Sequence, residues 1–448
     1  MALEPIFCIF VSLQVKSDET SLTGYRYTGN EVMRITPFSY REANKKTLVL
    51  SVVEINKTNM KKIQMVDLQG QYAPIKDQVQ NSLNEIMETS AFINGPEVQK
   101  FQKELEEYLD VKHVIPCANG TDALQIAMMG LGLQPGDEVI TADFTFAATV
   151  EVIALLQLIP VLVDVYPNTF NIDTDAIRNA ITPKTKAIVP VHLFGQCANM
   201  DEILEIASEH NLFVIEDNAQ AIGANYTFKT GSKKKAGTIG HVGATSFFPS
   251  KNLGGFGDGG AIFTNDDDLA HTLRGIVNHG MYERYYHDVV GVNSRLDSMQ
   301  AAVLRAKLPH LNSYNRARQE AARKYTKAFK DCEHVEIPQV ETNQNCNKDL
   351  GICATCDCHV FHQYTLKITN GKRDALAKHL AELQIPHGIY YPIPLHSQKA
   401  YKDSRYNEED FPVTNDLVKE VLSLPMHTEL TDDQIDLITT TVIDFLNN

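Results

Sequence analysis

From His113 to Thr264 the chain repeats one rhythm, a short β-rich apolar run followed by a helical stretch. The runs fall at 113–117, 138–141, 160–165, 187–191, 212–215, 245–248 and 261–264, and amphipathic segments such as 122–129 and 201–210 lie between them. Strands buried on both faces read as continuous apolar runs, whereas a sheet wetted on one side alternates. The rhythm therefore predicts an α/β fold, with a mainly parallel central sheet and helices on both faces. In such sheets ligands bind beyond the carboxyl ends of the strands. The residues that follow each run are the ones to read for chemistry.

Upstream, Ile75, Val79, Leu83 and Ile86, then Val98, Phe101, Leu105 and Tyr108, recur at helical spacing over 75–92 and 96–109. Gly95-Pro96 parts the two, with Pro96 near a first helical position. Downstream, a long helical stretch over 297–329 leads into a smaller α/β domain. Strands are expected there at 363–368 and 388–391, and helices at 373–383 and 432–446. The expected division is an atypical N-terminal extension (1–59), a large cofactor-binding domain (60–310) and a small C-terminal domain (311–448). Within 1–59, Pro5 to Val15 is mostly apolar, but Glu4 precedes it and no basic region or cleavage site marks a signal peptide. Met60-Lys61-Lys62-Ile63 reads as a natural start, so the extension is expected to be dispensable. A small extra strand layer is the alternative.

A net charge of −15 argues against a nucleic-acid partner, whose footprint is basic. No apolar run is long enough to span a bilayer. The eight cysteines include the scattered Cys8, Cys117, Cys197 and Cys332, so the chain reads as cytoplasmic and reduced.

Lys251 stands between the apolar run 244–248 and a run of glycines. Glycines let a ligand approach the backbone, and a lysine held there suits an amine that bonds to a carbonyl. The obvious carbonyl is the aldehyde of pyridoxal phosphate. Gly255, Gly257 and Gly260 also spell a dinucleotide fingerprint, but they run into the strand at 261–264 rather than a helix. Asp217 ends the run Val214-Ile215-Glu216. It could hold a pyridine nitrogen protonated or merely cap a turn. Gln220 could reach the ring's phenolic oxygen or be an ordinary polar turn residue. Cys117-Ala118-Asn119-Gly120-Thr121-Asp122 joins a strand to a helix, whose free N–H groups suit a phosphate or a plain cap. Ser246 could add a hydroxyl to that phosphate. Phe146 could stack on the ring or pack in the core.

Six stretches, NGTDAL, DFTFAAT, PVHLFGQ, VIEDNAQAIGA, SFFPSKNLGGFGDGG and GVNSRLDSMQAA, carry a further signal. In this order and spacing they resemble the DegT–StrS family of pyridoxal-phosphate-dependent nucleotide-sugar aminotransferases, over about 65–445. The resemblance implies the type I aminotransferase fold and a homodimer with shared active sites. It makes Lys251 the lysine that bonds the cofactor and Asp217 the partner of its ring nitrogen. Gln220 falls near the ring oxygen and Phe146 on the ring face. Gly120, Thr121 and Ser246 fall at the phosphate, joined by Asn293 from the neighbouring subunit. Sugar dehydratases of the family carry histidine in place of the lysine, so Lys251 points to the aminotransferase branch, with glutamate as the usual amino donor.

VDLQGQYAPIKDQV, FINGPEVQKFQKEL and GVNSRLD are most similar to the subgroup that aminates UDP-2-acetamido-3-keto-glucuronic acid for O-antigen precursors. Arg295 is then the partner of the sugar carboxylate, or else of Asp297 or another acid in a structural salt bridge. The alternatives are a 3- or 4-keto dTDP- or UDP-sugar without a carboxylate, and a pyridoxal-phosphate-binding regulator without catalysis. Tyr364, Tyr391 and His396 either face the sugar or pack within the small domain. Cys346, Cys353, Cys356 and Cys358, with His359 and His362, crowd a segment where the family has a short loop. Their spacing fits no standard finger, so a reduced surface insertion without metal is expected rather than a zinc site.

Overall fold

The computed structural model describes residues 9–16, 19–28, 31–34, 61–340 and 357–447. The chain divides into two compact units, Met1–Lys62 and Ile63–Asn448. In the first, β1 (Ile9–Lys16), β2 (Glu19–Thr28) and β3 (Glu31–Arg34) form an antiparallel meander in that order.

The second unit is built on seven strands: β4 (His113–Cys117), β5 (Glu138–Ala142), β6 (Ile159–Val163), β7 (Thr185–Val189), β8 (Phe213–Asp217), β9 (Val242–Ser246) and β10 (Gly260–Thr264). Their order across the sheet is β4-β10-β9-β8-β7-β5-β6. The pairs from β9 through to β6 are parallel, and β10 alone runs antiparallel to both neighbours. The alternation of side chains explains the apolar runs. Ile140, Ile188 and Val214 pack into one cluster with Ile203 and Ile206. Their neighbours Val139, Val189 and Ile215 point the other way, against Leu124, Met128 and Leu273. Each fully buried side chain of this kind contributes about 1.5–3 kcal/mol.

The antiparallel β10 shapes the site. It places Gly260 opposite Cys117 on one side and Ser246 on the other. A Cβ at 260 would collide with the Asn119 carbonyl group. The glycine run thus ends in a strand, and it lets the turn after β4 close on the turn after β9.

A smaller antiparallel sheet follows, of β11 (Val335–Glu336), β12 (Tyr364–Ile368) and β13 (Val421–Leu424). Leu366, Ile368, Leu422 and Leu424 pack with Tyr325 and Phe329 on one helix and Ile438 and Val442 on another.

Three expectations need correction. The helix read over 297–329 is two, α1 (Ser298–Lys307) and α2 (Leu311–Phe329), parted by a 3₁₀ turn at Leu308–His310. Pro309 in that turn lacks an N–H to continue the ladder. The strand read at 388–391 reduces to one bridge, Gly388 to Ser423. The strand read at 245–248 is displaced to β9, so Lys251 sits in a turn rather than directly after a strand. Among the described residues no helix is long and apolar enough to cross a membrane.

Candidate active site

At the carboxyl ends of β4, β5, β8 and β9 a cavity of about 880 Å³ opens. Gly120, Thr121, Phe146, Asp217, Gln220, Ser246 and Lys251 all line it, as does Tyr391 from the C-terminal part of the chain.

Lys251 closes a turn by donating its backbone N–H to the Phe248 carbonyl at 2.8 Å. The glycines beyond it are tied to α1. Lys307 Nζ donates to the Gly254 carbonyl at 2.8 Å, and Gln300 Oε1 accepts the Phe256 N–H at 2.7 Å. Desolvation pulls the Lys251 ammonium down to about 8, against the pull of the Asp217 charge, which raises it. A lysine shifted this way is a nucleophile near neutral pH.

Asp217 is buried at the end of β8. Its Oδ2 accepts from Thr149 Oγ1 at 2.8 Å and its Oδ1 from the Ala219 N–H at 3.1 Å. Burial pushes the carboxyl above its usual range, and these two hydrogen bonds, with Lys251 and His192, pull it back. Gln220 is oriented at both ends. Its Oε1 accepts the Phe194 N–H at 2.8 Å, and its Nε2 donates to the Tyr391 hydroxyl at 3.2 Å, which leaves one N–H to spare.

Asn119 caps the helix Gly120–Gly130 by accepting from the Asp122 N–H at 2.8 Å. Among the described residues nothing accepts from the Gly120 and Thr121 N–H groups, the first of that helix. A Cβ at 120 would come within 2.7 Å of the Ser246 Cβ, so only glycine lets the two turns meet. Open N–H groups at a helix N-terminus are a ready phosphate cradle. Phe146 stands 57% exposed in the cavity wall, 6.2 Å from the Tyr391 ring.

Other expected residues lie elsewhere. Tyr364 does not face the cavity. It is fully buried, its hydroxyl shares a 2.9 Å hydrogen bond with Thr326, and its ring packs on Tyr325. Every residue of β12 is buried, so strand alternation could not tell which face met a ligand. His396 is also turned away, buried against Asp143 and stacked on Phe411. Asn293 is exposed and pairs by a single bridge with Asn278, outside the cavity lining. Arg295 makes no salt bridge to Asp297. Its Nη1 donates to the Asn278 Oδ1 at 3.2 Å.

Cys346, Cys353 and Cys356 lie outside the described residues. Cys358 is disulfide-bonded, against the expectation of a reduced segment, while Cys117, Cys197 and Cys332 are free. His359 stacks on Phe361 and accepts its N–H at 3.0 Å. His362 lines the cavity, and burial holds its ring well below the usual histidine range, hence neutral. Sequence reading placed it with the cysteines, because its spacing to them was visible and its distance from Lys251 in space was not. Thr149 was also missed, although it closes the DFTFAAT stretch.

A desolvated amine facing a buried acid, with a phosphate cradle and an aromatic wall beside them, is the chemistry of enzymes that carry pyridoxal phosphate. Over residues 73–443 the chain matches the DegT/DnrJ/EryC1/StrS aminotransferase family, and it belongs to that family. It is 44% identical to a Geobacillus stearothermophilus protein named "Pleiotropic regulatory protein", over 86% of this chain and 98% of that one. It is 43% identical to the UDP-2-acetamido-2-deoxy-3-oxo-D-glucuronate aminotransferase of Pseudomonas aeruginosa, over 84% of this chain and 98% of that one. The solved structure of ntda from Bacillus subtilis with bound cofactor pmp shares 29% identity and a TM-score of 0.77, covering 87% of this chain and 86% of that one. The chain is a transaminase, and pyridoxal phosphate is its cofactor.

Proposed function

We propose that this transaminase moves an amino group from glutamate to a UDP-linked keto-sugar, with UDP-2-acetamido-2-deoxy-3-oxo-glucuronate as the substrate. The observation that carries the chemistry is Lys251, drawn down to about 8 in the same cavity as Asp217. The likeness to the P. aeruginosa enzyme supports the sugar.

Bound here, pyridoxal phosphate supplies an aldehyde carbon and a ring that withdraws electrons from the carbon losing its proton. Lys251 Nζ would hold the group through that aldehyde carbon. Its amine, when free, would serve as the general base and acid for a proton at the donor's Cα. Asp217 holds the proton on the ring nitrogen, with Thr149 fixing the carboxylate's orientation. Gln220 offers its spare N–H to the ring oxygen, and Phe146 covers one ring face. Gly120, Thr121 and Ser246 hold the phosphate. Asn293 and Arg295 serve the neighbouring subunit of a homodimer, Arg295 pairing with the sugar carboxylate. Tyr391 borders the sugar. The enzyme works in the cytoplasm, on precursors of a cell-surface polysaccharide such as O-antigen. Residues 60–310 act as the cofactor-binding domain and 311–448 as the small domain.

Glutamate as donor competes with another amino acid. Absorbance of the purified protein with pyridoxal phosphate, before and after glutamate, separates the two. The visible band of the lysine–cofactor bond gives way to the pyridoxamine form in a transaminase that uses glutamate. A band that glutamate leaves unchanged and another amino acid converts overturns glutamate as the donor. Amination of the 3-oxo-glucuronate, but not of the same sugar lacking its carboxylate, is the result expected for Arg295. Equal rates would overturn that substrate.

A further inference from the structure

One buried pair joins two walls of the cavity. Asp143, fully buried after β5, opens the loop that carries Phe144 and Phe146. Its Oδ1 accepts the His396 backbone N–H at 2.7 Å, and its Oδ2 accepts from His396 Nδ1 at 2.7 Å. Its carbonyl accepts the Leu395 N–H at 3.3 Å. His396 ends the segment that begins with Tyr390 and Tyr391. Its ring stacks on Phe411 with centroids 4.4 Å apart, and its Nε2 has only the distant Glu408 carboxylate, at 3.5 Å. A buried carboxylate is costly unless its oxygens are satisfied, and here one residue satisfies both. Breaking such a pair leaves an uncompensated charge, so the two segments stay together.

The rest of the circuit runs through the cavity. Tyr391 lies 6.0 Å from the Phe144 ring and 6.2 Å from the Phe146 ring. Its hydroxyl accepts from Gln220, which in turn accepts from the Phe194 N–H. The loop after β5, the 390–396 segment and the turn after β8 therefore close on one another.

We propose that Asp143 and His396 form a positioning clasp that sets the spacing between Phe146 and the Gln220–Tyr391 pair, and so retains the cofactor's amine form between the two half-reactions. The inference rests on the cofactor roles assigned above. Pyridoxal phosphate bonded to Lys251 is held covalently whatever the walls do. Pyridoxamine phosphate has no such bond, and non-covalent contacts keep it, the walls among them. The clasp thus matters most for the form that lacks the covalent tether.

The test uses the full-length protein and two variants. His396→Leu removes the side-chain donor, and His396→Asn restores an N–H close to the Nδ1 position. Pyridoxamine phosphate affinity is read by fluorescence titration, and occupancy of Lys251 by borohydride trapping with pyridoxal phosphate. His396→Leu is expected to weaken pyridoxamine phosphate about tenfold while still trapping pyridoxal phosphate, with His396→Asn recovering most of the loss. Unchanged affinity in His396→Leu overturns the clasp. So does equal weakening of both cofactor forms in both variants, which marks general loosening. If His396→Leu fails to fold, Asp143→Asn against His396→Asn decides by the same two readouts. Failure of the parent protein to trap pyridoxal phosphate on Lys251 would instead overturn the site assignment, and is read separately.

Discussion

The ammonium of Lys251 is the group whose titration the fold changes most usefully. At the ordinary lysine value of about 10.5, roughly one amine in three thousand is neutral at pH 7; at about 8 the fraction is roughly one in ten. Capture of pyridoxal phosphate by the cofactor-free protein should therefore rise with pH around a midpoint near 8, as followed by stopped-flow absorbance. Asp217 raises the Lys251 value, so Asp217→Asn should move that midpoint down. A midpoint near 10.5, or an upward move, would contradict the desolvated geometry. The same shift enters stability. Between about 8 and 10.5 Lys251 binds fewer protons folded than unfolded, so the cofactor-free fold gains stability as pH rises through that window. That Lys251, Asp217, Gln220, Phe146, Gly120, Thr121 and Ser246 would gather at one cavity could be read from sequence because each follows a strand that the apolar runs disclose. Thr149 and His396 could not be assigned that way. Thr149 acts on a carboxylate 68 positions away and His396 on one 253 positions away, and no local pattern records such pairings. Tyr364 misled because both faces of its strand are buried.

At the scale of elements, the turn that presents Lys251 is held by a helix that touches no part of the cavity. Lys307 on α1 is 1% exposed and has no carboxylate partner among the described salt bridges. It caps the Gly254 carbonyl at 2.8 Å and lies over the Phe256 ring at 5.0 Å. Burial draws it down to about 8. Lys307→Met keeps the stem and removes the donor, which leaves a buried carbonyl unpaired. The expected loss is about 1–3 kcal/mol in denaturant unfolding near pH 10.5, where the buried amine is neutral and its charge no longer weighs against the fold. The variant should also flatten the rise in stability between pH 8 and 10.5, because a depressed lysine value contributes that slope. An unchanged midpoint and slope would show that Gly254 needs no cap. The elements themselves were largely legible. The parallel strands appear within a few residues of the apolar runs, since burial on both faces leaves no other sequence record. Boundaries failed where a local device intervened, as with Pro309 dividing the long helix. The segment at 388–391 failed for another reason: its apolar residues line a cavity and a core without pairing along a strand.

For the molecule as a whole, the family match begins at residue 73, well inside the second compact unit. Removing 1–59 should leave the thermal unfolding and turnover of the remainder unchanged; an insoluble or inactive product would make the N-terminal meander part of the enzyme. Neither Asn293 nor Arg295, proposed above to serve the phosphate and the sugar carboxylate, lines the cavity of its own chain. Asn293 is exposed, and Arg295 spends one guanidinium nitrogen on Asn278 and meets no acid among the described residues. The proposed two-fold dimer would account for both, because an isologous interface would present each subunit's loop to the other's site. This arrangement has a consequence that a self-contained site lacks. Lys251→Ala disables the subunit that carries it. Asn293→Asp places a negative charge against the phosphate of the opposite subunit. Each homodimer is then inactive. In a mixed dimer the subunit with intact Lys251 receives a native Asn293 from its partner, so one of two sites is whole. Co-expression of the two variants should restore about a quarter of parental turnover if subunits assort at random. Mixing them after folding should restore activity only as fast as subunits exchange. No recovery in co-expressed protein shown to contain mixed dimers would place Asn293 in its own subunit's site and remove the reason for reading the active sites as shared.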